Sequence, residues 1–121
     1  MFKSVLNDVL QKTEGCVGVV IMGTDGIPVE QVWKQNGPET NLDIAVAEFT
    51  TLLRNAQRTS NDMGLGSLRE LMVMCDTTAF IMRLINTDYF LVLALNPDGN
   101  LGRGRYELRC AEVVLEREFV V

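Results

Sequence analysis

The sequence predicts an α/β sandwich: a five-stranded, mostly antiparallel sheet with helices on both faces, in the order α-β-β-α-β-β-β-α. Three observations predict it. Valine-rich apolar runs of strand length recur along the chain, closed by short turn signals such as Thr24-Asp25-Gly26 and Asn86-Thr87-Asp88. Three stretches carry apolar residues at the 3.6-residue period of a helix. Two of the strand runs, Val17 to Met22 and Phe90 to Leu95, are apolar at both parities, so helices must cover both faces of the sheet at its centre.

Phe2, Val5, Leu6, Val9 and Leu10 place the first helix over about residues 2–14, with Gly15 as its stop. The Cys16 to Met22 run is the first strand, and Asp25-Gly26 supplies the positive φ of a hairpin turn. The second strand, about Ile27 to Gln35, contains Pro28, Glu30 and Lys34. Proline and charge protect an exposed sheet edge, so this strand belongs at an edge. After a loop over 36–39, Thr40-Asn41-Leu42-Asp43 reads as a capping box. The helix it opens runs to about Asn61, with a core stripe of Leu42, Ala45, Val46, Phe49, Leu52, Leu53 and Ala56. Met63-Gly64-Leu65-Gly66 breaks it. Strands over Leu68 to Cys75, Ala79 to Ile85 and Tyr89 to Leu95 follow, and Asn100 caps a last helix over Leu101 to Glu118. There is no repeat, low-complexity segment or linker, so one domain over 1–121 is expected.

Composition narrows the function. The 121 residues are 47% hydrophobic and 22% charged, which excludes a disordered chain. Eleven basic against sixteen acidic residues, without a basic block, make nucleic acid an unsuitable partner. No apolar run reaches the ~20 residues of a membrane span, and the mixed N-terminus does not read as a signal peptide, so a cytoplasmic location is expected. The chain has no histidine, which removes the commonest general base and metal ligand. Cys16, Cys75 and Cys110 are widely spaced and form no Cys-x-x-Cys pair, so they read as small buried hydrophobes rather than a zinc or redox site. Asp25 and Asp88 are turn residues. No cofactor, metal or enzymatic activity is expected.

The segment Gly15 to Val29, GCVGVVIMGTDGIPV, resembles the first hairpin of the Roadblock family, which includes dynein light chains and bacterial MglB- and MglC-like proteins. Asp88 to Pro97, DYFLVLALNP, is similar to the family's last strand, and Asn100-Leu101-Gly102 to the start of the C-terminal helix in the bacterial branch. The resemblance covers nearly the whole chain. It implies the Roadblock/profilin-like fold with strand order 2-1-5-4-3. It also implies a non-enzymatic, dimeric regulator or scaffold of a Ras-like GTPase of the MglA type, in a polarity or motility module, binding the GTPase or another Roadblock protein. A small-molecule sensor domain of the PAS or GAF kind is the alternative on the same layers; it would need an apolar cavity between helices and sheet.

Three places are candidate sites. In the family's strand order the third strand is the second edge, yet Leu71, Met72, Val73 and Met74 are apolar in succession, which suits pairing with a second copy. Covering by the Met63–Gly66 loop is the alternative. On the second helix, Ile44, Ala47, Thr51, Arg54, Asn55 and Arg58 lie opposite or beside the core stripe and form a candidate partner and dimer face. At the start of the last helix, Arg103 and Arg105 oppose the helix dipole and form a second candidate corner. The glycines there do not match a nucleotide-binding loop. Arg103–Glu107 and Arg109–Glu112 pairs along the helix are the competing reading. Met22, Met72, Met74 and Met82 are read as core filler, and Trp33 as packing under a helix or lining a groove.

Overall fold

A computed structural model describes residues 1–34 and 42–119. Its elements are α1 (Phe2–Lys12), β1 (Cys16–Gly23), β2 (Pro28–Trp33), α2 (Leu42–Asp62), β3 (Glu70–Met74), β4 (Ala79–Leu84), β5 (Tyr89–Leu95) and α3 (Leu101–Glu116). The sheet is antiparallel throughout, in the order β2-β1-β5-β4-β3. Element order and strand order agree with the expectation. The expected loop at 36–39 and the Thr40–Asn41 part of the capping box lie outside the described residues, as does Gln35.

Two core layers explain the order. Cys16, Val19, Ile21, Ile81, Leu91 and Leu93 point to the face covered by α1 and α3, where they meet Leu6, Val9, Leu10, Leu108, Ala111 and Leu115. Val17, Val20, Met22, Phe80, Met82, Phe90 and Val92 point to the other face, where α2 brings Val46 and Leu53. Strands β1 and β5 are buried on both faces because helices lie above and below them. Phe49 of α2 packs edge-on against Phe80, with ring centroids 5.0 Å apart.

The turns follow from their residues. Gly26 has φ +87°, and Asp25 accepts a bond from the Ile27 amide at 3.0 Å, closing the β1–β2 hairpin. Gly15 has φ +83° and sits against the backbone of Gly99, so its lack of a Cβ is required twice over. The Asn100 side chain accepts from the Arg103 amide at 3.0 Å and caps α3, as expected.

Three expectations are corrected. Leu52 is not on the core stripe of α2: it is 47% exposed, while Thr50 takes a buried place and donates its hydroxyl to the Val46 carbonyl at 3.3 Å. Met72 and Met74 are not core filler: both lie on the α3 side of β3 and are exposed there. Cys75 and Cys110 are exposed; only Cys16 is a buried hydrophobe. Trp33 does pack under a helix-covered face, its ring lying where a side chain at Gly18 would stand.

Candidate protein-interaction site

β3 alternates. Leu71 and Val73 lean onto the α2 layer and are half-buried there. Glu70, Met72 and Met74 face the α3 side, and Met74 is 63% exposed. The outer rim of β3 carries no neighbouring strand among the described residues. Met63 and Leu65 are themselves exposed rather than folded onto this edge as a cover. An unpaired edge with two bare methionines differs from β2, whose edge carries Pro28 and Glu30.

The α2 candidates share one face. Ile44, Ala47, Thr51, Arg54, Asn55 and Arg58 are all exposed. Ile44, Thr51, Asn55 and Arg58 lie opposite the buried Val46 and Leu53, and Ala47 and Arg54 lie on the flank toward the buried Thr50, as a 3.6-residue period requires. Arg58 donates to the Asn55 side chain at 3.3 Å, and Arg54 forms no ion pair among the described residues. Ile44 and Ala47 also border an apolar cleft of about 210 Å³ with Val20, Met22 and Pro28. Leu52, which sequence reasoning assigned to the core, adds to this face from its other flank.

The α3 corner is more internally satisfied than the sequence suggests. Arg103 pairs with the buried Glu107 at 2.8 Å, as the helical spacing predicts. Arg105 instead crosses to β3 and binds Glu70 at 2.8 Å. The expected Arg109–Glu112 pair is absent among the described residues, because Glu112 is taken by Arg83 at 2.5 Å. Arg83 also reaches Glu70 at 3.2 Å. The Glu112–Arg83–Glu70–Arg105 chain ties α3 to the β3 edge, and sequence reasoning missed it. The available signal was a lone arginine within the apolar run AFIMRL of β4. Such a charge needs partners from other elements, which helical spacing does not supply.

Two titration shifts stand out among the described residues. Burial pushes the Cys16 thiol up to about 11. The exposed Tyr106 phenol is raised, first by its side-chain hydrogen bond with Cys110. Clefts open at the surface among the described residues. One of about 540 Å³ lies between the end of α2, the β4–β5 turn and α3, lined by Gln57, Asn61, Arg69, Asn86 and Glu116 among others. A mixed polar surface cleft is not the enclosed apolar cavity of a sensor domain, and nothing here supports that alternative. No described helix is long and apolar enough to cross a membrane.

The described residues form a five-stranded 2-1-5-4-3 sheet between one helix and two, with an edge strand and a helix face exposed. The sequence model of the Roadblock/LC7 domain matches residues 3–95, and the chain belongs to that family. It is similar to MglC from Myxococcus xanthus, with 37% identity over 98% of each chain and a TM-score of 0.75. The gliding protein MglB of Thermus thermophilus shares the fold at 17% identity over 96% of this chain and 86% of that one, with a TM-score of 0.84. An MglB with a tetrameric arrangement does so at 17% identity, covering 96% and 85%, with a TM-score of 0.85. No curated protein matches the sequence.

Proposed function

We propose that residues 1–121 act as one Roadblock unit, a cytoplasmic homodimer joined through the β3 edges. Its paired α2 faces dock a Ras-like GTPase of the MglA type or another Roadblock protein, and the pair serves a polarity or motility module. Kinship with MglC and MglB supports a regulatory role beside a GTPase. The tetrameric arrangement of one MglB supports self-association. The observation that carries the reading is the open β3 edge, where Met72 and Met74 stand bare beside half-buried Leu71 and Val73. Pairing two such edges about a two-fold axis makes one continuous sheet and sets both α2 helices on the same face. Ile44, Ala47, Thr51, Arg54 and Arg58 then occur twice on a single surface. The dimer contributes no catalytic group of its own; it positions the partner.

The test is calorimetric titration with an MglA-type GTPase and with a Roadblock partner from the same cell. Arg54→Ala with Arg58→Ala is expected to fold and dimerise as before while losing ~2 kcal/mol of binding, roughly thirtyfold. Unchanged affinity for both partners would reject the α2 platform and leave the Arg103–Arg105 corner as the next surface to examine.

A further inference from the structure

β3 is bonded to β4 through its odd positions. The Leu84 amide donates to the Arg69 carbonyl at 3.0 Å, and the Cys75 amide to the Thr78 carbonyl at 3.1 Å. Hydrogen-bonded pairs recur at every second residue of an antiparallel ladder. The backbone groups of Glu70, Met72 and Met74 therefore point to the open side. Facing residues in such a ladder put their side chains on the same side of the sheet. A two-fold axis perpendicular to the sheet must then pass through a facing pair of identical residues. Met72 is the middle of Glu70–Met74, and the register centred on it is the one that overlaps the whole strand.

Charge selects the same register. Centring on Val73 would set Glu70 directly opposite Asp76 of the second copy, two carboxylates face to face. Centring on Met72 sets Glu70 beside Met74 of the second copy. The chain of that copy then runs on to Asp76, two residues or about 7 Å further. On the first copy, α3 runs from Gly104, beside Ile81, to Glu112, bonded to Arg83. Because β3 is antiparallel to β4, α3 advances toward the Glu70 end of β3. Arg105 reaches Glu70, and Arg109 lies one turn beyond. A cleft of about 160 Å³ opens there, lined by Glu70, Arg83, Arg105, Tyr106 and Arg109. Arg109 and Asp76 are both exposed, and neither has an ion-pair partner among the described residues.

We propose that Asp76 of each protomer enters this arginine cleft of the other and pairs with Arg109, locking the dimer in the register with Met72 on the two-fold axis. The proposal rests on the β3-edge dimer above and adds its register and its electrostatic clasp. Two identical contacts form per dimer, one at each end of the paired strands, so each single substitution removes both.

Two experiments test it. In a Cys75→Ser, Cys110→Ser background, Met72→Cys is expected to form an intermolecular disulfide under mild oxidation, since hydrogen-bonded facing Cα atoms are about 5.5 Å apart. Val73→Cys is not, because its own symmetry mate lies two residues out of step. In sedimentation equilibrium, Arg109→Asp and Asp76→Arg are each expected to weaken dimerisation at least tenfold, with circular dichroism unchanged. The combined variant, which restores opposite charges, is expected to recover most of that loss. A dimer that crosslinks through Val73→Cys instead, or a combined variant no better than the singles, overturns the register and the clasp while the edge dimer stands. A chain that is monomeric at every concentration overturns both.

Discussion

Arg83 stands in a strand otherwise built of apolar residues, and its side chain is 16% exposed. It is held by Glu70 and Glu112, on β3 and α3. Replacing it leaves two partly covered carboxylates with less compensation, and Arg105 reaches only one of them. Arg83→Met is expected to lower stability by ~2 kcal/mol in urea denaturation, well beyond the ~0.5 kcal/mol of an exposed substitution. Cys16 makes a different test. In the unfolded chain its thiol ionises near its ordinary 9.0, whereas in the folded protein burial holds the proton to about 11. The unfolded state therefore binds fewer protons between those values, and stability falls as pH rises through that window. The stability of the wild type relative to Cys16→Ala is expected to drop by at most ~1.4 kcal/mol per pH unit there, and to be flat below pH 9. Native-state thiol titration at pH 8 should register Cys75 and Cys110, with Cys16 reacting after unfolding. The sequence alone did not separate these three cysteines, because burial of a small residue depends on which element lies above it.

At the scale of the element, α2 is the informative case. Its period and its breaker glycines were legible, and the structure places its described bounds within a residue or two of the expectation. What the period left ambiguous was the edge of the stripe. Leu52 and Leu53 are adjacent and chemically identical, yet Leu53 is fully buried and Leu52 is not. Leu53→Ala is expected to cost 2–5 kcal/mol, the usual range for emptying a core site. Leu52→Ala should cost ~0.5 kcal/mol or less in the same denaturation experiment. Comparable losses at both positions would mean that α2 is rotated relative to the sheet. β3 hid its alternation for a related reason. Leu71 to Met74 are all apolar, so no period of two shows in the letters; the two faces separate only in burial, with Leu71 and Val73 packed into the α2 layer and Met72 and Met74 exposed on the other side. That also makes Val73 a poor probe of the edge, since it belongs partly to the α2 layer, and Met72 the better one.

For the whole molecule, fold and strand order were readable because each rests on local rules that agree: apolar runs for the centre, proline and charge for the β2 edge, turn residues between. The candidate surfaces were readable in part. Helical geometry placed the α2 face, but the ion pairs joining Glu70, Arg83, Arg105 and Glu112 link residues far apart in the chain, and no spacing rule reaches that far. The central claim is that the β3 edge is completed by a second copy. The direct measurement is the solution mass by light scattering at micromolar concentration, for the wild type and for Met72→Lys, which sets two ammonium groups together on the proposed axis. The wild type is expected at twice the 13.5 kDa chain mass, and Met72→Lys at the chain mass with its circular dichroism unchanged. A wild type already at 13.5 kDa, or a Met72→Lys dimer as stable as the wild type, would contradict the account.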